Sequence, residues 1–72
     1  MNLDELRAEL VKCGVPETLY QLSGGLPNEK CCIGQKDGRW EVYYSERGSK
    51  TSLKFFDDEH SACLYFLRWV TR

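Results

Sequence analysis

The side chains with chemical potential in this chain are four thiols, one imidazole and one run of carboxylates. They are Cys13, Cys31, Cys32 and Cys63, then His60, then Asp57-Asp58-Glu59. Zinc sites and dithiol redox centres draw on closely spaced cysteine pairs such as C-x-x-C, and no such pair exists here. Cys31 and Cys32 are adjacent, so on a strand they point to opposite faces. The thiols therefore read as small buried hydrophobes, free of disulfides and metal. Nucleophilic catalysis needs a nucleophile activated by a positioned base. His60 is the only histidine, and its place beside acids in a first helical turn reads as a surface position. Two carboxylates can run a hydrolysis, but Asp57, Asp58 and Glu59 are better explained as the start of a helix. Ser23-Gly24-Gly25 lacks the Lys-Ser/Thr and the following helix of a phosphate loop. The expectation is a non-enzyme with no cofactor.

The elements that position these groups are legible in pattern. Asn2-Leu3-Asp4-Glu5 has the form of a capping box, and Leu3, Leu6, Leu10 and Cys13 fall on one helical face. Gly14 and Pro16 then stop the helix, which is predicted over 3–13. Residues 16–22 admit two readings, a short helical turn from Pro16 or a first strand over Leu19–Leu22 with Tyr20 and Leu22 on one face. Ser23-Gly24-Gly25 and Pro27-Asn28 bracket a loop. Lys30 to Gln35 reads as a strand, with Cys31 and Ile33 on one side and Cys32 and Gly34 on the other. Asp37-Gly38 is a hairpin turn signal. From Arg39 to Ser45 the alternation puts Trp40, Val42 and Tyr44 inward. Arg47-Gly48-Ser49-Lys50 makes the next turn, and Thr51 to Phe56 forms a strand with Leu53 and Phe55 inward. A second helix begins at Asp57-Asp58-Glu59, with acids at its positive end. Ala62, Cys63, Phe66, Leu67 and Val70 form its apolar stripe, widened by Tyr65 and Trp69.

The predicted fold is α+β, a two-layer sandwich with both helices on one face of an antiparallel three- to four-stranded meander. Its expected core is Leu6, Leu10, Ile33, Trp40, Val42, Leu53, Phe55, Cys63, Phe66, Leu67 and Val70. Seventy-two residues make one domain with one thin core. Ten Lys and Arg against eleven Asp and Glu leave a net charge of −1, which argues against a binder that relies on a basic face for nucleic acid. No apolar run approaches a membrane span. The opening residues lack the apolar stretch of a secretory signal, so the expected compartment is the reducing cytoplasm. The order α-β-β-β-α also matches double-stranded-RNA-binding domains. That function needs lysines at the start of the last helix, where this chain has three acids.

Tyr43, Glu46 and Arg47 stand out as contact residues. Tyr43 is expected on the polar side of the central strand, and exposed Tyr and Arg concentrate binding energy at protein interfaces. The competing structural reading is a cross-strand Tyr43–Lys54 pair and a turn-stabilising Glu46–Arg47 arrangement.

Several segments together resemble a known family. Tyr20-Gln21-Leu22-Ser23-Gly24-Gly25, Asn28-Glu29, the run Trp40-Glu41-Val42-Tyr43-Tyr44-Ser45-Glu46-Arg47-Gly48, and Phe56 before an acidic helix start with Ala62-Cys63 are similar to the small immunity proteins of bacterial polymorphic-toxin systems, specifically the immunity protein 59 family. The resemblance runs from about Tyr20 to about Phe66, and Tyr43 to Gly48 is its most specific part. It implies a cytoplasmic antidote that binds and neutralises a cognate toxin domain by stoichiometric contact, with a nuclease as the default toxin. The chain would act as a monomer or weak homodimer, without nucleic acid or membrane. By their side-chain chemistry the contact is expected to use Tyr43, Glu46 and Arg47, with Glu29 and the cluster Asp57, Asp58 and Glu59 at its edge. The rival reading is a small structural or regulatory subunit packed on a larger host protein, which would carry an apolar patch on its open sheet face.

Overall fold

The computed structural model describes all 72 residues. Helix α1 (Leu3–Lys12) opens with the capping box intact. The Asn2 side chain accepts from the Glu5 N–H at 2.9 Å, and the Glu5 carboxylate accepts from the Asn2 N–H at 3.0 Å. It closes in a Schellman turn: Gly14 N–H donates to Val11 and Val15 N–H to Leu10, with Gly14 at φ +75°. The ambiguity over residues 16–22 resolves as both readings in sequence. A 3₁₀ turn, η1 (Glu17–Leu19), leads directly into β1 (Tyr20–Gln21). Strands β2 (Lys30–Lys36), β3 (Arg39–Glu46) and β4 (Ser49–Phe56) follow, and α2 (Glu59–Val70) closes the chain.

The sheet order is β1-β2-β3-β4. β2, β3 and β4 form the expected antiparallel meander, with Ile33 opposite Val42 and Trp40 opposite Phe56. Both hairpins use two-residue turns with positive φ at each position, Asp37-Gly38 (52°, 78°) and Arg47-Gly48 (50°, 75°). These are the turn geometries whose twist suits a hairpin. β1 departs from the meander, pairing parallel to β2 with Tyr20 opposite Cys31, so the sheet is mixed. Parallel neighbours cannot be joined by a tight turn. The connection from Leu22 to Glu29 must therefore return along the sheet, and it does so across the face opposite the helices.

The core lies between the sheet and the two helices. Leu6, Leu10, Ile33, Val42, Cys63 and Phe66 are fully buried, and Trp40, Leu67 and Val70 pack against them. Tyr20, Leu22 and Ala62 complete the cluster. Two expected members are absent from it. Leu53 is 38% and Phe55 47% exposed. The cause is a β-bulge: one residue of β3 separates Val42 from Tyr44, while two residues of β4 separate Thr51 from Lys54. Ser52 takes the left-handed conformation, φ 55°, that such a bulge uses. The extra residue inverts the alternation, so Phe56 faces the helices in place of Phe55 and packs against Tyr65, the rings tilted with centroids 5.3 Å apart. Phe55 lies on the opposite face beneath the Arg39 guanidinium, 4.6 Å from its ring.

Candidate functional site

The face of the sheet away from the helices carries the polar half of the alternation, but it is not open to water. Cys32, Gly34, Glu41, Tyr43 and Ser45 are all buried there. Their cover is the Leu22–Glu29 connection, which lies on the sheet as a strap. At its start the Gly24 N–H donates to Ile33 at 3.0 Å, and the Gln21 amide donates to the Gly24 carbonyl. The Tyr43 hydroxyl then donates to the Gly25 carbonyl, and the Ser45 hydroxyl to the Pro27 carbonyl at 2.6 Å. Finally the Asn28 side chain accepts from the Arg47 N–H at 3.3 Å. The strap crosses so close to β2 that a Cβ at Gly34 would sit 2.8 Å from the Gly24 Cα. Glycine at position 34 is thus a steric requirement.

This arrangement corrects the expectation for Tyr43. It points away from the helices, as the alternation requires, but it has no exposed surface. Its ring packs under the Lys50 ammonium at 4.7 Å, so the cation over Tyr43 is Lys50 and not Lys54. Lys50 also bridges Glu41 at 2.9 Å, neutralising a carboxylate that is only 4% exposed. Burial, reinforced by the Cys32 and Glu41 charges, pushes the Tyr43 phenol up to about 12. Tyr43 is a latch for the strap and cannot be a contact anchor while the strap is closed.

The other predicted residues divide between the two ends of the sheet. Glu29, Glu46 and Arg47 meet at one end, because Lys30 pairs with Ser45 and the strap is tied to Arg47. Glu29 and Arg47 are exposed, Glu46 and Tyr44 half-buried. Desolvation, with the Glu29 and Glu46 charges, raises the Tyr44 pKa. The strap adds Leu26, 53% exposed, to the same end. Leu26 has no partner pattern in the sequence that would single it out; only the strap's path brings it here.

Asp57, Asp58 and Glu59 sit at the opposite end, since Phe56 pairs with Trp40 and Ser49 with Glu46. The length of β3 at about 3.3 Å per residue puts roughly 20 Å between the two groups. Two of these acids are also occupied within the fold. Asp58 caps α2, accepting from the Ser61 N–H at 2.7 Å and hydroxyl at 3.1 Å. The Ser61 N–H is the main cause of its lowered pKa. Glu59 accepts from the Leu3 N–H at 2.9 Å, tying the starts of the two helices together. Asp58 and Glu59 therefore serve the fold, Asp57 is exposed, and none of the three borders the Glu29–Glu46–Arg47 surface.

His60 is exposed, with Nδ1 against the Met1 amino group. The four cysteines are free; Cys13 is exposed, Cys31 half-buried, Cys32 and Cys63 buried. No three His, Cys, Asp or Glu side chains gather where a metal ion could be held. A shallow cleft of about 290 Å³ borders β1, lined by Arg7, Glu17, Tyr20, Gln21, Leu22 and Ser23. No helix is long and apolar enough to cross a membrane. No protein-family model, curated protein or solved structure matches the chain. The likeness to immunity proteins accordingly rests on the residues quoted for it in the sequence.

Proposed function

We propose that this domain is an antidote that neutralises a bacterial toxin domain by stoichiometric contact through the strap and β3–β4 turn end of its sheet. The observation that carries the reading is the grouping of Leu26, Glu29, Glu46 and Arg47 on one rim. An exposed apolar side chain flanked by an Arg and carboxylates has the composition of an interface centre with a polar surround. In the closed state two hydroxyl bonds set Leu26 and Glu29 of the strap beside Arg47, which a two-residue turn holds in place. Arg47 presents a fork of donors suited to a carboxylate, and the two glutamates suit a basic partner surface.

Co-expression with the toxin domain encoded beside the gene tests the reading. The wild-type chain is expected to restore growth and to co-purify with the toxin at a one-to-one ratio. Glu46→Ala combined with Arg47→Ala is expected to stay folded by circular dichroism and to lose protection. A folded double variant that protects as well as wild type refutes the assignment of the rim. A wild type that fails to bind the toxin refutes the antidote reading itself.

The host-subunit reading is favoured by one specific observation. Leu53 and Phe55 are exposed on the edge strand β4, to which the strap makes no hydrogen bond. A domain that packs permanently on a larger protein would use such a pair. Loss of co-purification on Phe55→Ser, with the Glu46/Arg47 double variant unaffected, would select this reading.

A further inference from the structure

The strap is held in an unusual way for a segment that covers a sheet. Of its residues, Ser23, Gly25, Leu26, Asn28 and Glu29 are exposed, and Pro27 is half-buried. Beyond Gly24 it contributes almost no apolar burial. What holds it are the two hydroxyl donors, Tyr43 to Gly25 and Ser45 to Pro27, and the Asn28 contact to Arg47. A net hydrogen bond contributes little, because water replaces it when it opens. Segments with few apolar contacts and solvent-facing bonds open first. The backbone at each end is also suited to swing. Gly24 and Gly25 have φ of 70° and 83°, and Glu29, at φ 55°, holds a left-handed conformation that an L side chain disfavours. Beneath the strap lie two hydroxyls, two residues apart on β3, that water or another chain can satisfy equally well.

We propose that residues 25–29 form a displaceable cover that swings from Gly25 as a unit, releasing the Tyr43 and Ser45 hydroxyls while the helices and the β2–β4 meander stay folded. Gly24, bonded to Ile33 and packed on Gly34, is the fixed post. In the closed state the strap's own carbonyls occupy the two donors. In the open state those donors are free for water. The inference does not depend on the toxin reading, since opening is a property of the isolated chain.

Two buried thiols make the test internal. Cys32 lies on the covered face opposite Tyr43, and Cys63 lies in the core beneath the helices. Burial raises the pKa of both, so neither alkylates readily while covered. Rates of iodoacetamide labelling at Cys32 and Cys63 are measured on the full chain by mass spectrometry, in Cys31→Ser to separate the adjacent thiols. Tyr43→Phe removes one latch bond and is expected to raise the Cys32 rate about fivefold while leaving the Cys63 rate unchanged. Tyr43 also hydrogen-bonds the Cys32 thiol and lowers its pKa, so losing that bond slows Cys32, and a faster Cys32 in Tyr43→Phe reports exposure. Ser45→Ala removes the other latch bond, leaves the Tyr43–Cys32 contact in place, and is expected to raise the Cys32 rate in the same way. Hydrogen exchange is expected to show the amides of 25–29 exchanging faster than those of β3. Cys32 and Cys63 rates that rise together in both latch variants would overturn the proposal, as would strap amides as protected as those of β3.

Discussion

Gly34→Ala is the sharpest test of how the strap sits on the sheet. In a strand exposed on that face, alanine would stabilise by about 0.5–1 kcal/mol relative to glycine, because it restricts the unfolded chain. Here the added methyl meets backbone, not a flexible side-chain end: 2.8 Å to the Gly24 Cα and 3.1 Å to the Gly24 nitrogen. The strap must rise by several tenths of an ångström. That movement strains the 3.0 Å bond from the Gly24 N–H to Ile33 and the latch bonds beyond it. Overpacking of this kind costs about 1–3 kcal/mol, and loss of one bond adds about 1 kcal/mol. Set against the propensity gain, the net expected destabilisation is about 2 kcal/mol. With a urea m-value of about 1 kcal/mol/M for a chain this small, the unfolding midpoint falls by about 2 M. The assay is equilibrium urea unfolding followed by tryptophan fluorescence. A Gly34→Ala variant as stable as wild type, or more stable, would show that the strap does not press on β2 and would remove the steric argument.

Four further outcomes are expected. Phe56→Ala should cost about 2–4 kcal/mol in thermal or urea unfolding, and Phe55→Ala under about 1 kcal/mol; the reverse order would place the bulge elsewhere in β4. Lys50→Met strands the buried Glu41 carboxylate and should cost about 2–4 kcal/mol, with much of that recovered in the Glu41→Gln/Lys50→Met pair; additive single and double variants would contradict the coupling. The Tyr43 phenol is held neutral to about 12 in the fold, above its unfolded value, so its contribution is complete below about pH 10 and is lost as pH rises toward 12. Alkaline melts of Tyr43→Phe should lack that portion of the decline, and unchanged melts would refute the burial argument. Arg47→Asn suits the left-handed first position of its turn and should raise stability by roughly 0.5–1 kcal/mol while weakening partner contact; a loss of stability would mean the Arg47 side chain holds the turn.

What the sequence determined by itself was everything decided by neighbours along the chain. The capping box at Asn2 and Glu5, the Gly14 stop, the Asp37-Gly38 hairpin and the acidic start of the second helix each depend on side chains within a few residues of the backbone they serve. The period of Arg39–Ser45 correctly assigned Val42 inward and Tyr43 away from the helices. Tertiary structure decided what lies opposite each face. Whether Tyr43 meets water depends on the parallel pairing of β1, which sends the Leu22–Glu29 connection over it; nothing near Tyr43 encodes that. The exchange of Phe55 for Phe56 in the core depends on Ser52 adopting φ 55° opposite β3, a pairing effect with no local signature, since Thr51, Leu53 and Phe55 alternate as an unbroken strand would. Likewise Glu29, Glu46 and Arg47 converge while Asp57–Glu59 do not, because an antiparallel hairpin puts the end of β4 beside the start of β3 and about one strand length from its tip. Local hydrogen bonding and side-chain period are properties of a short segment, whereas burial is a property of whichever distant segment comes to rest against it.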